Sequence, residues 1–169
     1  TELIQCDTAS LCILNLLKVI LAQNGLSPRL EPFGDYARAA GQDAVLLIGN
    51  PGIEFLRQPH EHKILDLGQA WQDVTGLPFV FAVWAIRRAC NDPALGQKLL
   101  TAKRDGQAHL DEIIANHNEF DVELRSAYLR EHIRFDLGEP EKQGIAEFVR
   151  RLRAVSTDPV FDPRFTSAG

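Results

Sequence analysis

The sequence predicts a mixed α/β fold, and three observations support this prediction. Residues 43–50 (DAVLLIGN) and 79–86 (FVFAVWAI) contain continuous apolar runs, with turn residues such as Pro51 and Pro78 beside them. Runs that are apolar on both faces are typical of buried parallel strands. From Asp92 onward, apolar residues instead recur at the spacing of a helix. Strands are therefore expected mainly in the first half of the chain, and helices in the second.

The first predicted strand is the short apolar run at residues 3–6 (LIQC). Thr8 or Ser10 is a suitable N-cap for a helix over about residues 11–23, which Asn24 and Gly25 end. Free N–H groups and the dipole at the start of a helix attract anions, and hydroxyl groups add hydrogen-bond donors. Thr8 and Ser10 are therefore candidate ligands of a substrate carboxylate. The alternative is that they only cap the helix.

A second candidate pair, Gly49 and Asn50, ends the apolar run at residues 43–50. In open α/β sheets, ligands bind in the crevice beyond the carboxyl ends of the strands. The amide of Asn50 can donate a hydrogen bond to a carboxylate or a ring hydroxyl. The alternative is a turn residue that precedes Pro51.

The other predicted elements follow in chain order. Residues 30–33 predict a short strand, residues 35–40 a short helix that ends at Gly41, and residues 70–74 a helical turn. The second apolar run predicts a buried strand over residues 79–85. Helical spacing then predicts helices over residues 93–104, 106–116, 122–135 and 139–155, and a loosely ordered tail from Ser156.

Composition limits the classes of protein to consider. The 169 residues suit one ordinary domain or two small lobes, and 45% hydrophobic residues can form a real core. The net charge is −5 and the basic residues are dispersed, so nucleic acid is a poor partner. The apolar stretch at residues 11–21 is interrupted by Asn15 and Lys18 and is too short to span a bilayer. No signal peptide is visible, so a cytoplasmic protein without a membrane partner is expected.

Cysteine and histidine give no sign of a metal site. Cys6, Cys12 and Cys90 are odd in number and form no CxxC pair, which favours a reducing compartment, and no pattern around Cys90 marks it as a nucleophile. His60 and His62 lack a nearby third ligand, and we expect them to lie in an exposed loop. Arg150, Arg151 and Arg153 are expected to be solvated. The chain begins at Thr1 and has no Met, which suggests a fragment or a record with residues dropped.

Three further patterns in the sequence occur together. They are residues 43–50, residues 65–71 (LDLGQAW) with 75–84 (TGLPFVFAVW), and residues 128–137 (YLREHIRFDL) followed by Gly144 and Phe148. Together these segments resemble the chorismate dehydratase family. The resemblance also includes residues 7–21 and extends over about residues 3–152. TGLPFVFAVW is its most specific part.

This resemblance implies a two-lobed α/β fold of the type-II periplasmic-binding-protein kind, with the ligand in the cleft between the lobes. It further implies that the N-terminal part of the first lobe is missing. Residues 1–75 would form the second lobe, residues 76–155 the returning strand and the helices that complete the first lobe, and residues 156–169 the tail.

The activity implied is a hydro-lyase reaction that converts chorismate to 3-(1-carboxyvinyloxy)benzoate and water in the futalosine route to menaquinone. The substrate is a small dicarboxylate, no cofactor or metal is implied, and the group that abstracts the proton is not identified. A monomer or a homodimer is expected. The alternatives are a 1,4-dihydroxy-6-naphthoate synthase of the same pathway and a non-catalytic solute-binding protein for small anions.

The resemblance favours a binding role for Thr8 and Ser10, although two positions depart from the family pattern. Cys12 and Ile13 stand where the family usually has a Thr-Ser pair, and Asn50 stands where Asp is more frequent. Pro78 and Phe79 are expected in an apolar wall of the cleft. Phe81 and Trp84 are assigned to the core.

Overall fold

The computed structural model describes residues 2–87 and 93–165. These residues form a mixed α/β protein with a three-stranded parallel sheet. The chain divides into two compact units, and each is described by itself. Unit 1 comprises Thr1–Ala82 and Glu139–Pro163, and unit 2 comprises Val83–Gly138 and Arg164–Gly169.

The elements have the following bounds in chain order. Unit 1 contains β1 Leu3–Asp7, α1 Leu11–Gln23, β2 Arg29–Phe33, a 3-10 helix Tyr36–Gly41, β3 Val45–Leu46, α2 Asn50–Leu56, α3 Leu67–Thr75 and α7 Glu139–Val155. Unit 2 contains α4 Pro93–Ala108, α5 Leu110–Asn116, α6 Val122–Ala127 and a π-helical turn Tyr128–His132.

Helix α1 begins and ends at the residues that the sequence predicted. Ser10 is the N-cap, and its side chain accepts a hydrogen bond from the backbone N–H of Ile13 at 3.4 Å. Asn24 is the C-cap, and Gly25 follows with φ of 66°. Of the two proposed caps, the structure therefore selects Ser10.

The sheet has the order β2-β1-β3, and both pairs are parallel. Asp7 at the end of β1 is in register with Phe33 at the end of β2, and Cys6 is in register with Leu46 of β3. The third strand is only two residues long, although the apolar run predicted a longer one. Helix α2 already begins at Asn50, with Pro51 in its first turn.

The core of unit 1 lies where α1 packs against α3 and α7. Its fully buried side chains are Cys6, Leu16, Val19 and Trp71. Helix α7 contributes Leu152 to the same cluster, and α3 contributes Leu67. The predicted helix over residues 139–155 is confirmed, and it is part of this core.

Unit 2 consists of the helices α4 to α6 and the π-helical turn. Helix α4 continues through Gly106, where the sequence predicted a break, and the next helix begins only at Leu110. Arg125 organises the loop between α5 and α6, because its guanidinium donates to the carbonyl oxygens of Ile114 at 3.0 Å and Phe120 at 2.6 Å. The predicted helix over 122–135 ends earlier, at His132.

The predicted strand over residues 79–85 is wrong. The structure assigns no strand to residues 79–87. A strand exists only through hydrogen bonds to a neighbouring strand, and the described strands all belong to the β2-β1-β3 sheet. Phe81, Val83 and Trp84 are correspondingly exposed, at 55%, 55% and 63%.

No helix within residues 2–87 and 93–165 has the length and apolar character needed to cross a membrane. The tail that follows α7 has no helix or strand as far as residue 165.

Candidate functional site

The candidate site is one edge of the sheet, which we call the carboxyl edge. It consists of the turns that follow the three strands, at residues 7–10, 34–36 and 49–50. Because β1, β2 and β3 are parallel, all three turns leave the sheet at the same edge. The topology therefore brings Thr8 and Ser10 to the same edge as Gly49 and Asn50, about forty residues further along the chain.

Asp7 is the most enclosed polar group of this edge. Among the described residues it is the only charged or polar side chain in the buried class, with 3% exposed. Its Oδ1 accepts a hydrogen bond from the Ala9 N–H at 2.8 Å, and its Oδ2 accepts one from the Tyr36 hydroxyl at 3.1 Å. These bonds offset the free-energy cost of burying a carboxylate.

Tyr36 begins the 3-10 helix after β2 and reaches Asp7 across the sheet edge. Its ring packs edge-on against Phe33, with centroids 6.4 Å apart. Desolvation raises the pKa of Tyr36, and the hydrogen bond to Asp7 and the charge of Asp7 raise it further. The phenol therefore stays protonated and acts as a donor to Asp7.

Thr8 and Ser10 differ in exposure and in bonding. Thr8 is exposed, whereas Ser10 is half-buried and uses its oxygen to accept from the Ile13 N–H. A hydroxyl that accepts one hydrogen bond still has its own O–H to donate. The capping bond and a bond from Ser10 to an anion are thus chemically compatible.

Gly49 and Asn50 form the turn after β3. Gly49 has φ of 66° and ψ of −139°, a backbone conformation that L side chains rarely adopt. Both residues are exposed, and Asn50 is the first residue of α2. A glycine at position 49 is what allows the chain to turn directly from the strand into this helix.

Pro78 and Phe79 are positioned by α3 and α7, not by the turns of the carboxyl edge. Gly144 of α7 faces the Pro78 backbone so closely that a Cβ at position 144 would overlap the Pro78 carbonyl oxygen. The Phe79 ring packs against Trp71 at 5.7 Å and Phe148 at 5.1 Å between centroids. Phe79 is therefore half-buried against the core, and its role in a cleft wall stays a prediction.

The aromatic side chains that are buried and those that are exposed differ from the expected ones. Phe81 and Trp84 were assigned to the core, but both are exposed. Phe81 contacts Phe79, with centroids 5.0 Å apart, and lies over Gly68 of α3. Without a neighbouring strand, the alternation of side chains that places every second residue in a core does not apply here.

His60 and His62 lie in a loop, as expected, and Pro59, Glu61 and Lys63 beside them are exposed, but the two His side chains are half-buried. Both rings pack against Phe55, at 4.9 Å and 5.5 Å between centroids, and His62 Nε2 lies 2.7 Å from the Gln42 carbonyl oxygen. Within the part of the chain that the structure describes, no group of three His, Cys, Asp or Glu side chains could hold a metal ion. Burial raises the thiol pKa of Cys6 and Cys12. Cys90 lies outside the described residues.

Arg150 and Arg151 are not simply solvated, because both bind Glu147. Arg150 contacts it through Nε and Nη2 at 2.7 Å each, and Arg151 through Nε at 2.6 Å. The hydrogen bond from Arg150 is the largest cause that lowers the pKa of Glu147 to about 2, although partial burial opposes it. Arg151 also lies over the Trp71 ring, with Cζ 5.6 Å from its centroid. The ion pairs lie within α7, and Glu147 orients Arg151, which is the side chain of the three that contacts Trp71 of α3.

Sequence reasoning missed Asp7 and Tyr36 as individual residues of the site. Asp7 was treated only as part of the turn, and Tyr36 only as part of a short helix. A signal was present, because Asp7 stands at the end of one predicted strand and Tyr36 follows another, and both became strands of one parallel sheet. The contact between Tyr36 and Asp7 could not be predicted without the order of the strands.

The parallel sheet and its surrounding helices make this a mixed α/β protein. A family model described as menaquinone biosynthesis matches residues 2–154. The chain belongs to this menaquinone biosynthesis family.

Two curated relatives are both named chorismate dehydratase. The protein from Thermus thermophilus is 35% identical over 176 residues, which include 92% of this chain and 64% of the relative. The protein from Campylobacter jejuni is 25% identical over 146 residues, which include 85% of this chain and 65% of the relative. The chain thus spans less than two thirds of the length of these relatives.

Proposed function

We propose that this chain is part of a chorismate dehydratase, a carbon–oxygen hydro-lyase of menaquinone biosynthesis. The observation that supports this most directly is the family match over residues 2–154 together with two relatives of that name. The reaction converts chorismate to 3-(1-carboxyvinyloxy)benzoate. The bond between the ring and its hydroxyl group breaks, whereas the enolpyruvyl ether is kept. The hydroxyl and a ring proton leave as water, and the ring becomes aromatic.

The carboxyl edge is suited to bind one of the two carboxylates of chorismate. Chorismate carries two carboxylates, and the free N–H groups at the start of the 13-residue helix α1 are donors for an anion. The hydroxyls of Thr8 and Ser10 add two further donors beside these N–H groups. We assign one substrate carboxylate to this turn.

Gly49 and Asn50 supply a neutral donor at the same edge. An amide can donate to a carboxylate or to the ring hydroxyl, whereas an ionised Asp can only accept. Asn50 therefore suits a negatively charged ligand better than the Asp that is more frequent in the family at this position. We propose that it contacts the substrate ring or its second carboxylate.

The cleft itself is proposed by resemblance to the type-II periplasmic-binding-protein fold, which has two α/β lobes. Pro78 and Phe79 would form an apolar wall that packs on the planar ring and excludes water. Aromatisation is strongly favourable, so the protein needs mainly to orient the ring and neutralise its charges. A cytoplasmic location and a monomeric or homodimeric state stay predictions from the sequence.

The test is incubation with chorismate of the longest natural polypeptide that contains this chain. We expect an aromatic ultraviolet spectrum to appear, and chromatography to identify 3-(1-carboxyvinyloxy)benzoate as the product. Turnover of the cyclised futalosine product to 1,4-dihydroxy-6-naphthoate, with none of chorismate, would instead establish the later enzyme of the pathway. Saturable binding of chorismate without product would establish a solute-binding protein, and either result would refute the proposal.

A further inference from the structure

Asp7 is a buried carboxylate at a site that is proposed to bind an anion. Its presence there is not explained by attraction to the ligand. Its negative charge lies directly beside the turn that is proposed to bind a substrate carboxylate, and like charges repel. With only 3% of the residue exposed, its burial also costs free energy. A favourable effect of Asp7 on binding must therefore come from the geometry that it imposes.

That geometry begins within the turn. Asp7 Oδ1 accepts from the backbone N–H of Ala9 at 2.8 Å, which is the local bond by which an Asp side chain fixes a turn two residues further on. Thr8 lies between the two bonded residues, and Ser10 follows them. The Asp7 carboxylate thus sets the backbone that presents both candidate ligands.

A second bond ties Asp7 to another strand. The Tyr36 hydroxyl donates to Asp7 Oδ2 at 3.1 Å, from a position 29 residues further along the chain. The sheet explains this meeting, because Asp7 is in register with Phe33, the last residue of β2, and Tyr36 follows three residues later. Tyr36 therefore holds the carboxylate in one orientation while the other oxygen holds Ala9.

We propose that Asp7 and Tyr36 are positioning residues of the candidate site: Tyr36 orients the Asp7 carboxylate, and Asp7 fixes the turn that presents Thr8 and Ser10 to the substrate. This inference rests on the proposed function for its kinetic consequences. Its structural part, the tie from Tyr36 through Asp7 to Ala9, can be tested without any substrate.

The first experiment is Tyr36→Phe, which removes one hydroxyl from a side chain that is 42% exposed. The loss of a hydrogen bond to a charged group should raise the KM for chorismate about tenfold, and kcat should stay within about twofold. The matched control is Tyr128→Phe in the π-helical turn of unit 2, a tyrosine of similar exposure at 48%, which should leave KM unchanged. Circular dichroism of both variants verifies that they are folded.

Two variants of Asp7 separate positioning from proton transfer. Asp7→Asn keeps an oxygen for the Ala9 N–H and an amide that can pair with Tyr36, so it should raise KM less than Asp7→Ala does. Both should keep most of kcat. A fall in kcat of about a hundredfold in Asp7→Asn with unchanged KM would make Asp7 a proton-transfer group instead. Unchanged KM in both Tyr36→Phe and Asp7→Ala would also overturn the proposal.

Amide hydrogen exchange by nuclear magnetic resonance distinguishes this failure from a failure of the proposed function. The Ala9 amide should exchange faster in Tyr36→Phe than in the parent protein, and faster still in Asp7→Ala, while amides of unit 2 are unaffected. Unchanged exchange at Ala9 refutes the tie, whatever the substrate is. Failure of the parent protein to convert chorismate refutes the proposed function, and leaves the exchange result as the test of the tie.

Discussion

The turn at residues 7–10 and the segment at residues 75–87 differ in what determines their structure. At the turn, nearby side chains make the decisive hydrogen bonds. The Asp7 carboxylate accepts from the Ala9 N–H, and the Ser10 hydroxyl oxygen accepts from the Ile13 N–H. In the segment, glycines of two helices decide where the chain lies, since Gly144 of α7 faces the Pro78 backbone and Gly68 of α3 faces the Phe81 ring. Local signals are visible in a sequence, whereas the close approach of α7 to the Pro78 backbone is not.

The first prediction tests the fit between α7 and the segment at residues 75–87. Gly144→Ala should lower the free energy of unfolding by about 3 kcal/mol, because its Cβ would overlap the Pro78 carbonyl oxygen and backbone must move. Urea unfolding followed by circular dichroism measures this. The control is Gly52→Ala in α2 of the same unit, where the added Cβ meets its nearest atom at 3.6 Å. That variant should be neutral or slightly more stable.

If Gly144→Ala were as stable as Gly52→Ala, the close approach of α7 to Pro78 would be wrong. The segment would then not be held by Gly144 of α7, and its contrast with the turn would disappear.

The second prediction concerns the turn itself. The double variant Thr8→Ala, Ser10→Ala should lower kcat/KM for chorismate, since each lost charge-assisted hydrogen bond costs about 1.5–3 kcal/mol. Loss of the N-cap should separately destabilise the fold by about 1 kcal/mol. Steady-state kinetics and thermal unfolding of the same protein separate the two effects.

Single variants supply the control for this prediction. Ser10→Ala alone should account for the loss of stability, because Ser10 and not Thr8 caps α1. A double variant with reduced stability and full catalytic efficiency would leave Ser10 as a cap and remove both residues from the site.

A third prediction tests the ion pairs that Glu147 forms with Arg150 and Arg151 within α7. The folded pKa of Glu147, about 2, lies below the usual unfolded value, so its stabilising effect is present above about pH 4.5. It is lost as the pH falls through the folded pKa. Glu147→Gln should therefore cost about 1–2 kcal/mol at pH 7, after allowance for partial exposure, and almost nothing near pH 2.

Unfolding titrations of the parent and the variant between pH 7 and 2 measure this difference. The control is Glu139→Gln at the start of the same helix, where an exposed carboxylate pairs with Lys142 at 2.7 Å. Exposed pairs contribute about 0.5 kcal/mol. A stability difference for Glu147→Gln that did not shrink with falling pH would contradict the lowered pKa.

The smallest expected effect concerns the exposed part of the segment. Trp84→Ser should change the free energy of unfolding by less than about 0.5 kcal/mol, because Trp84 is 63% exposed. Trp71→Ser is the matched contrast, since Trp71 is fully buried and its truncation should cost several kcal/mol, about 3–5. A large loss in Trp84→Ser, measured in the same urea titrations, would show that residues 79–87 are packed after all.

Much of the fold could be predicted from the sequence where the signals were local. Helix α1 was bounded correctly by Ser10 and by Asn24 with Gly25, and α7 by its helical spacing. Strand β2 was predicted to within one residue. In each case the residues that decide the element lie within it or beside it.

The failures share the opposite cause. Residues 79–85 have the composition of a strand, but a strand needs a partner, and composition says nothing of partners. At the candidate site, Thr8 and Asn50 could be placed at one edge because parallel strands share it. The tie from Tyr36 to Asp7 could not, because it depends on β2 lying next to β1.

The two tryptophans of this sequence give the protein a pair of built-in optical probes. Trp71 is buried in unit 1 among phenylalanine rings, and its indole N–H has no hydrogen-bond partner among the described residues. Trp84 belongs to unit 2 and is exposed to solvent. An indole in an apolar enclosure emits at shorter wavelengths than one in water. The fluorescence spectrum should therefore contain two components, and only the red component should be accessible to a soluble quencher such as iodide. The emission wavelength therefore identifies which unit reports a change when the protein is unfolded.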